Sequence, residues 1–127
     1  MWFTPRPKAV RIARHQVSRA LTGWGVPEDA VDTAVLITSE LLTNAIRHCH
    51  YDDPAHMVFV CITDEGPELL LEVSDPSRER PRAGTAASDA ESGRGLMLVR
   101  AAAADFGTRD REPTGKTVWA TVGKSRP

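Results

Sequence analysis

The sequence predicts a two-layer α/β sandwich, with a mixed, mostly antiparallel sheet and helices on one face. Three observations carry this reading. Two long stretches in the first half repeat their apolar residues at spacings of three and four, the helical period. Two strand-like runs then flank Asp64-Glu65-Gly66-Pro67, which is strong turn chemistry. The resulting order is helix, helix, strand, strand, loop, helix, strand, strand. Helices do not alternate strictly with strands, which argues against a doubly wound parallel sheet.

The first helix is predicted over 7–22. Val10, Ala13, Val17, Ala20, Leu21 and Trp24 form its apolar stripe, Pro7 suits its first turn, and Gly23 and Gly25 end it. Its other face carries Arg11, Arg14 and Arg19, and with Arg6 and Lys8 the segment has no acid before Glu28. Such a face is most simply solvated; as a functional surface it is the candidate for partner contact. The second helix is predicted from about Pro27 to Cys49. Glu28, Asp29 and Asp32 favour the positive end of its dipole. Val31, Ala34, Val35, Thr38, Leu41, Leu42 and Ala45 make a stripe that should face the sheet. Tyr51-Asp52-Asp53-Pro54 is a stop signal.

Met57–Ile62 and Glu68–Val73 read as an antiparallel hairpin. Residues 76–92 hold Pro76, Ser77, Pro81, Gly84, Thr85, Ser88 and Ser92 and show no periodicity, so they form a long polar loop. Gly93-Arg94-Gly95 then opens an Ala/Leu-rich helix beginning at Leu96. Two further strands fit at about 105–109 and 117–122. Trp2, Trp24 and Trp119 read as packing residues, Trp2 also as a candidate partner contact.

Composition bounds the function. The chain has 127 residues, which predicts one domain spanning 1–127. Lys plus Arg is 16 and Asp plus Glu 17, for a net charge of -1, which does not point to a globally basic nucleic-acid binder. No apolar run approaches a membrane span, and the N-terminus lacks the apolar core of a signal peptide. Two cysteines, Cys49 and Cys61, are expected as reduced thiols in a cytoplasmic protein. His48, Cys49, His50, Asp52, Asp53 and His56 lie close in sequence. His48 and His50 diverge at a helix end, and no second cluster completes four ligands, so a transition-metal site is not the preferred reading.

Four short patterns carry chemistry. Glu40 and Asn44 lie four apart and share a face of the second helix, apart from the apolar stripe; Arg47 and His48 continue it. A carboxylate that accepts a proton and an amide oxygen that ligates Mg²⁺ suit phosphoryl transfer, although alone the pair also fits a solvated face. Asp75 ends a predicted strand, where it can accept a hydrogen bond from a base or simply cap a turn before Pro76. Gly93-Arg94-Gly95 places glycines just before a helix, where backbone N–H groups can meet an anion. Gly115-Lys116-Thr117 precedes a strand, and Asp110 stands where a phosphate-binding loop needs its first glycine, so a P-loop is rejected.

In this order, the four patterns together resemble the GHKL ATPase superfamily, which includes gyrase B, histidine kinases and a mismatch-repair ATPase. Ser39–His48 looks like its N box. Asp75-Pro76-Ser77 stands where the first glycine box falls, Gly93-Arg94-Gly95-Leu96 matches the second, and Gly115–Trp119 matches the closing segment. Ser77 and Glu79 stand where the first box usually has glycines. The resemblance covers nearly the whole chain. It is closest to the free-standing anti-sigma-factor serine/threonine kinases of bacteria, of actinobacterial type, on the Phe-x-Pro-x-Pro start, the Trp-Gly before the long helix and the Lys-Thr-Val-Trp ending.

The resemblance implies the Bergerat ATP-binding fold, with ATP and Mg²⁺ as cofactors. It makes Glu40 the general base, Asn44 the Mg²⁺ ligand and Asp75 the acceptor for the adenine amino group. Thr117 would support the base through Asp75 or a water. Ser77 would lie near the base or ribose, and Gly93, Arg94, Gly95 and Leu96 near the phosphates. Arg47 and His48 would flank the phosphate side, and 76–92 would be the lid. The implied protein holds a sigma factor inactive and phosphorylates a STAS-type anti-sigma-factor antagonist. It is a homodimer without direct nucleic-acid or membrane contact. The stretch before residue 7 is too short for a dimerising phosphoacceptor helix, so a histidine-kinase fragment is less expected. The alternative function is a nucleotide-binding module that sequesters a partner without phosphoryl transfer; the presence of Glu40 argues against it.

Overall fold

The computed structural model describes residues 1–47, 57–76, 90–111 and 115–124, with the backbone alone for 90–94. Its elements run β1 (Trp2–Phe3), α1 (Lys8–Gly23), α2 (Glu28–Arg47), β2 (Val58–Asp64), β3 (Glu68–Asp75), α3 (Ala90–Ala102), β4 (Asp105–Asp110) and β5 (Lys116–Gly123). The sheet order is β1-β2-β3-β5-β4, and every pairing is antiparallel.

The strands alternate because one face is covered. Leu69, Leu71 and Val73 of β3 are buried, and so are Val118, Ala120 and Val122, their neighbours on β5. Helix α2 lies against β2, β3 and β5 and also packs on α1 and α3. That central position explains a difference from the sequence stripe. Ile37, Ser39, Asn44 and Ile46 are buried as well, because neighbours flank α2 on more than one side. Helix α1 buries Ala9, Ala13, Val17 and Leu21, four residues apart, against the core and leaves its arginines outward. Fully burying Leu21 is worth about 1.5–3 kcal/mol.

The hairpin turn closes as its residues require. Gly66 has a φ of 93°, its N–H donates to Asp64 Oδ1 at 2.9 Å, and Glu65 N–H donates to Glu68 O. Lys124 Nζ donates to the same Asp64 oxygen at 2.8 Å, tying the end of β5 to the turn. These donors hold the Asp64 carboxyl below the usual carboxylate range, Lys124 contributing most and Gly66 next.

Three sequence expectations change. β1 was not anticipated; it forms because Met1 exchanges hydrogen bonds with Val60 and Trp2 packs on Phe59, ring centroids 4.8 Å apart. Trp24 is not part of the core: it lies beyond the last helical turn of α1 and is 51% exposed. Helix α3 starts at Ala90 rather than after Gly95, since a glycine costs only about 1 kcal/mol within a helix. No helix among the described residues is long and apolar enough to cross a membrane.

Candidate functional site

The site begins where α2 and α3 meet. The four-residue spacing puts Glu40 and Asn44 on one face of α2, but this face is covered rather than solvated: Glu40 is half-buried and Asn44 is buried. Leu96 and Val99 are buried on α3, and α3 packs against α2. This brings Gly95 directly onto the Glu40 carboxylate. A Cβ on Gly95 would stand 2.5 Å from Glu40 Oε2 and 3.5 Å from its Cδ, so only glycine leaves the carboxylate in place. One turn along α2, Asn44 Oδ1 is buried and accepts no hydrogen bond from the described residues. Leaving such an acceptor unmet costs about 1–3 kcal/mol. A buried, unmet amide oxygen is the kind of hard donor that Mg²⁺ takes, so this residue fits the expected ion.

The second part of the site is the end of the central strand pair. Asp75 continues the row Leu69, Leu71, Val73 on the helix-facing side of β3. Lys116 continues the row Val118, Ala120, Val122 on β5. The register sets the two opposite each other, and Lys116 Nζ donates to Asp75 Oδ1 at 3.2 Å. Both side chains are withdrawn from water, at 1% and 0% exposed. Gly115 makes the approach possible. Its φ is 105°, and a Cβ there would overlap the carbonyl oxygen of Asp75. Sequence reasoning missed Lys116, because a lysine is expected at the surface. The signal was the alternation in both strands, each ending its apolar row on a charge of opposite sign.

Thr117 makes no direct hydrogen bond to the Asp75 carboxylate among the described residues. Alternation turns it to the other face of β5, where its Oγ1 and Ser74 Oγ lie 2.7 Å apart. Its hydroxyl therefore meets Ser74 and not the Asp75 carboxylate. Both hydroxyls are buried although the helices lie on the other side. On their row Phe59 pairs with Ser74 and Trp2 with Phe59, and the Arg111 guanidinium lies over the Trp2 ring, 5.8 Å from its centroid.

The remaining candidates divide. Arg47 is exposed as the last residue of α2. Gly93 and Arg94 lie within the first turns of α3 rather than ahead of it. His48, Ser77, Glu79 and the histidine and cysteine cluster fall outside the described residues, as does all of the expected lid except its two ends. The structure thus brings together Glu40, Asn44 and Gly95 at the α2–α3 contact, and Asp75, Lys116 and Gly115 at the β3–β5 end.

Comparison with known proteins fits this arrangement. A family model described as "Histidine kinase-like ATPase domain" matches residues 3–122. No curated protein matches the chain in sequence. Among solved structures it is similar to the histidine kinase domain from the Erythrobacter litoralis EL346 blue-light activated histidine kinase. The two share 24% identity at a TM-score of 0.54, over 76% of this chain and 46% of that one. At that identity the likeness speaks for the fold, and the chain spans about half the length of that neighbour. The match of the family model to nearly the whole chain shows that this protein belongs to the histidine kinase-like ATPase domain family, a family of ATP-binding domains within the GHKL superfamily.

Proposed function

We propose that the protein binds Mg·ATP and transfers its γ-phosphoryl group to a serine or threonine of a STAS-type anti-sigma-factor antagonist, and that it also sequesters a sigma factor as a homodimer in the cytoplasm. The observation that carries the chemistry is the Glu40–Asn44 face of α2, with the Glu40 carboxylate against Gly95 and a buried Asn44 oxygen one turn away. Glu40 accepts the proton of the attacking hydroxyl. The new P–O bond forms as the bond to ADP breaks, and ADP carries away the bond's electron pair. Asn44 would hold the Mg²⁺ ion, which when bound offsets the charge of the phosphates. Asp75 accepts a hydrogen bond from the adenine amino group. Gly95 fixes the height of the carboxylate, and positioning of this kind supplies much of the barrier reduction in phosphoryl transfer. Support for the serine/threonine specificity and for the two partners comes from the sequence resemblance alone.

The test is calorimetric titration with Mg·ATP, followed by transfer from labelled ATP to STAS-domain proteins of the same organism. Wild type is expected to bind saturably and to label a serine or threonine. Asp75→Asn should abolish binding. Asn44→Ala should weaken binding in Mg²⁺ far more than in EDTA. Glu40→Ala should bind but not transfer. Binding with no transfer to any such protein would favour the partner-sequestering module instead.

A further inference from the structure

Lys116 is the one residue at the β3–β5 end to which no role has been given. Stability does not account for it. Withdrawing two charges from water is expensive, and apolar side chains of similar volume commonly fill such a position as well or better. What the pair supplies is a chemical pattern. A carboxylate only accepts hydrogen bonds, and an ammonium only donates them. At 3.2 Å between Nζ and Oδ1, the structure presents a donor immediately beside an acceptor, both facing the helix side of the sheet. The pairing edge of adenine carries the complement in the same compact space: an amino donor next to a ring-nitrogen acceptor. Asp75 alone can read only the amino group.

Resting on the nucleotide-site reading above, the geometry points to Lys116 as a second specificity-determining residue, whose ammonium donates to ring nitrogen N1 of adenine while Asp75 accepts from the neighbouring 6-amino group. A base whose amino group reaches Asp75 then brings N1 to Nζ, and the ammonium bridges carboxylate and ring. Gly115 is part of the device, since its backbone conformation lets Lys116 enter β5 directly opposite Asp75.

The experiment compares ATP with 1-deaza-ATP, in which N1 is replaced by C–H, by titration of the full chain in Mg²⁺. Wild type is expected to bind 1-deaza-ATP at least about tenfold more weakly, the scale of a lost hydrogen bond to a charged donor. Lys116→Met should bind the two nucleotides alike. Because that change strands a buried carboxylate, Lys116→Gln, whose shorter neutral side chain still offers Asp75 an N–H but no ammonium to N1, provides a second test and should also bind them alike. Equal binding of the two nucleotides by wild type overturns the role of Lys116 and leaves the nucleotide site standing. A preference for ATP that survives in the folded variants overturns it equally. Failure of wild type to bind ATP at all overturns the nucleotide-site reading itself.

Discussion

Glu40 and Gly95, from two helices 55 positions apart in sequence, touch so closely that a Cβ on the glycine would stand 2.5 Å from the carboxylate oxygen Oε2. Glycine in a helix is ordinarily a loss of about 1 kcal/mol relative to alanine. Here it is the condition for α3 to lie on α2 without displacing the carboxylate.

Gly95→Ala separates the two demands. Helix propensity favours the change by up to about 1 kcal/mol, so the melting temperature should move little. The Glu40 carboxylate must rotate away, and ATP turnover should fall at least about tenfold, since a misplacement near 1 Å can cost a hundredfold. A thermal melt beside a turnover assay checks both; unchanged turnover would remove Glu40 from its assigned position.

Gly115→Ala should instead act on stability. The left-handed backbone alone costs a residue with a side chain about 1–3 kcal/mol, and the Cβ also runs into the Asp75 carbonyl. Urea unfolding should show a lower midpoint with an unchanged slope.

The Asp75–Lys116 pair predicts strong non-additivity. Lys116→Met alone strands a buried carboxylate and should destabilise by about 3–5 kcal/mol. Combining it with Asp75→Asn should recover a large part of that loss. A double-mutant cycle by urea unfolding measures the coupling, and simple additivity would mean that the two side chains do not meet.

Asp64 gives a pH prediction. Its folded-state pKa lies below the unfolded value, so it contributes stability above the unfolded pKa, and the contribution is lost as pH falls through the folded one. Lys124→Ala should raise the Asp64 pKa towards its ordinary value, as followed by NMR titration of the carboxyl. The group is exposed, so the melting temperature near neutral pH should hardly change.

Much of this architecture is local and is therefore written locally. The stripes of α1 and α2, the turn at Asp64–Pro67, and the alternation of β3 and β5 each follow from the periodicity of a single segment, and together they determined the fold class. The spacing of Glu40 and Asn44 likewise fixed their common face. Contacts between segments were decided only in three dimensions. β1 is two residues long and exists because β2 offers it an edge. That Asn44 is buried follows from neighbours flanking α2 on several sides, not from its own stripe. Thr117 meets Ser74, and Lys116 meets Asp75, through the register of strands some 40 residues apart, which no single segment encodes. A lysine is read as solvated until a partner strand places an aspartate opposite it, because only pairing makes a buried charge tolerable.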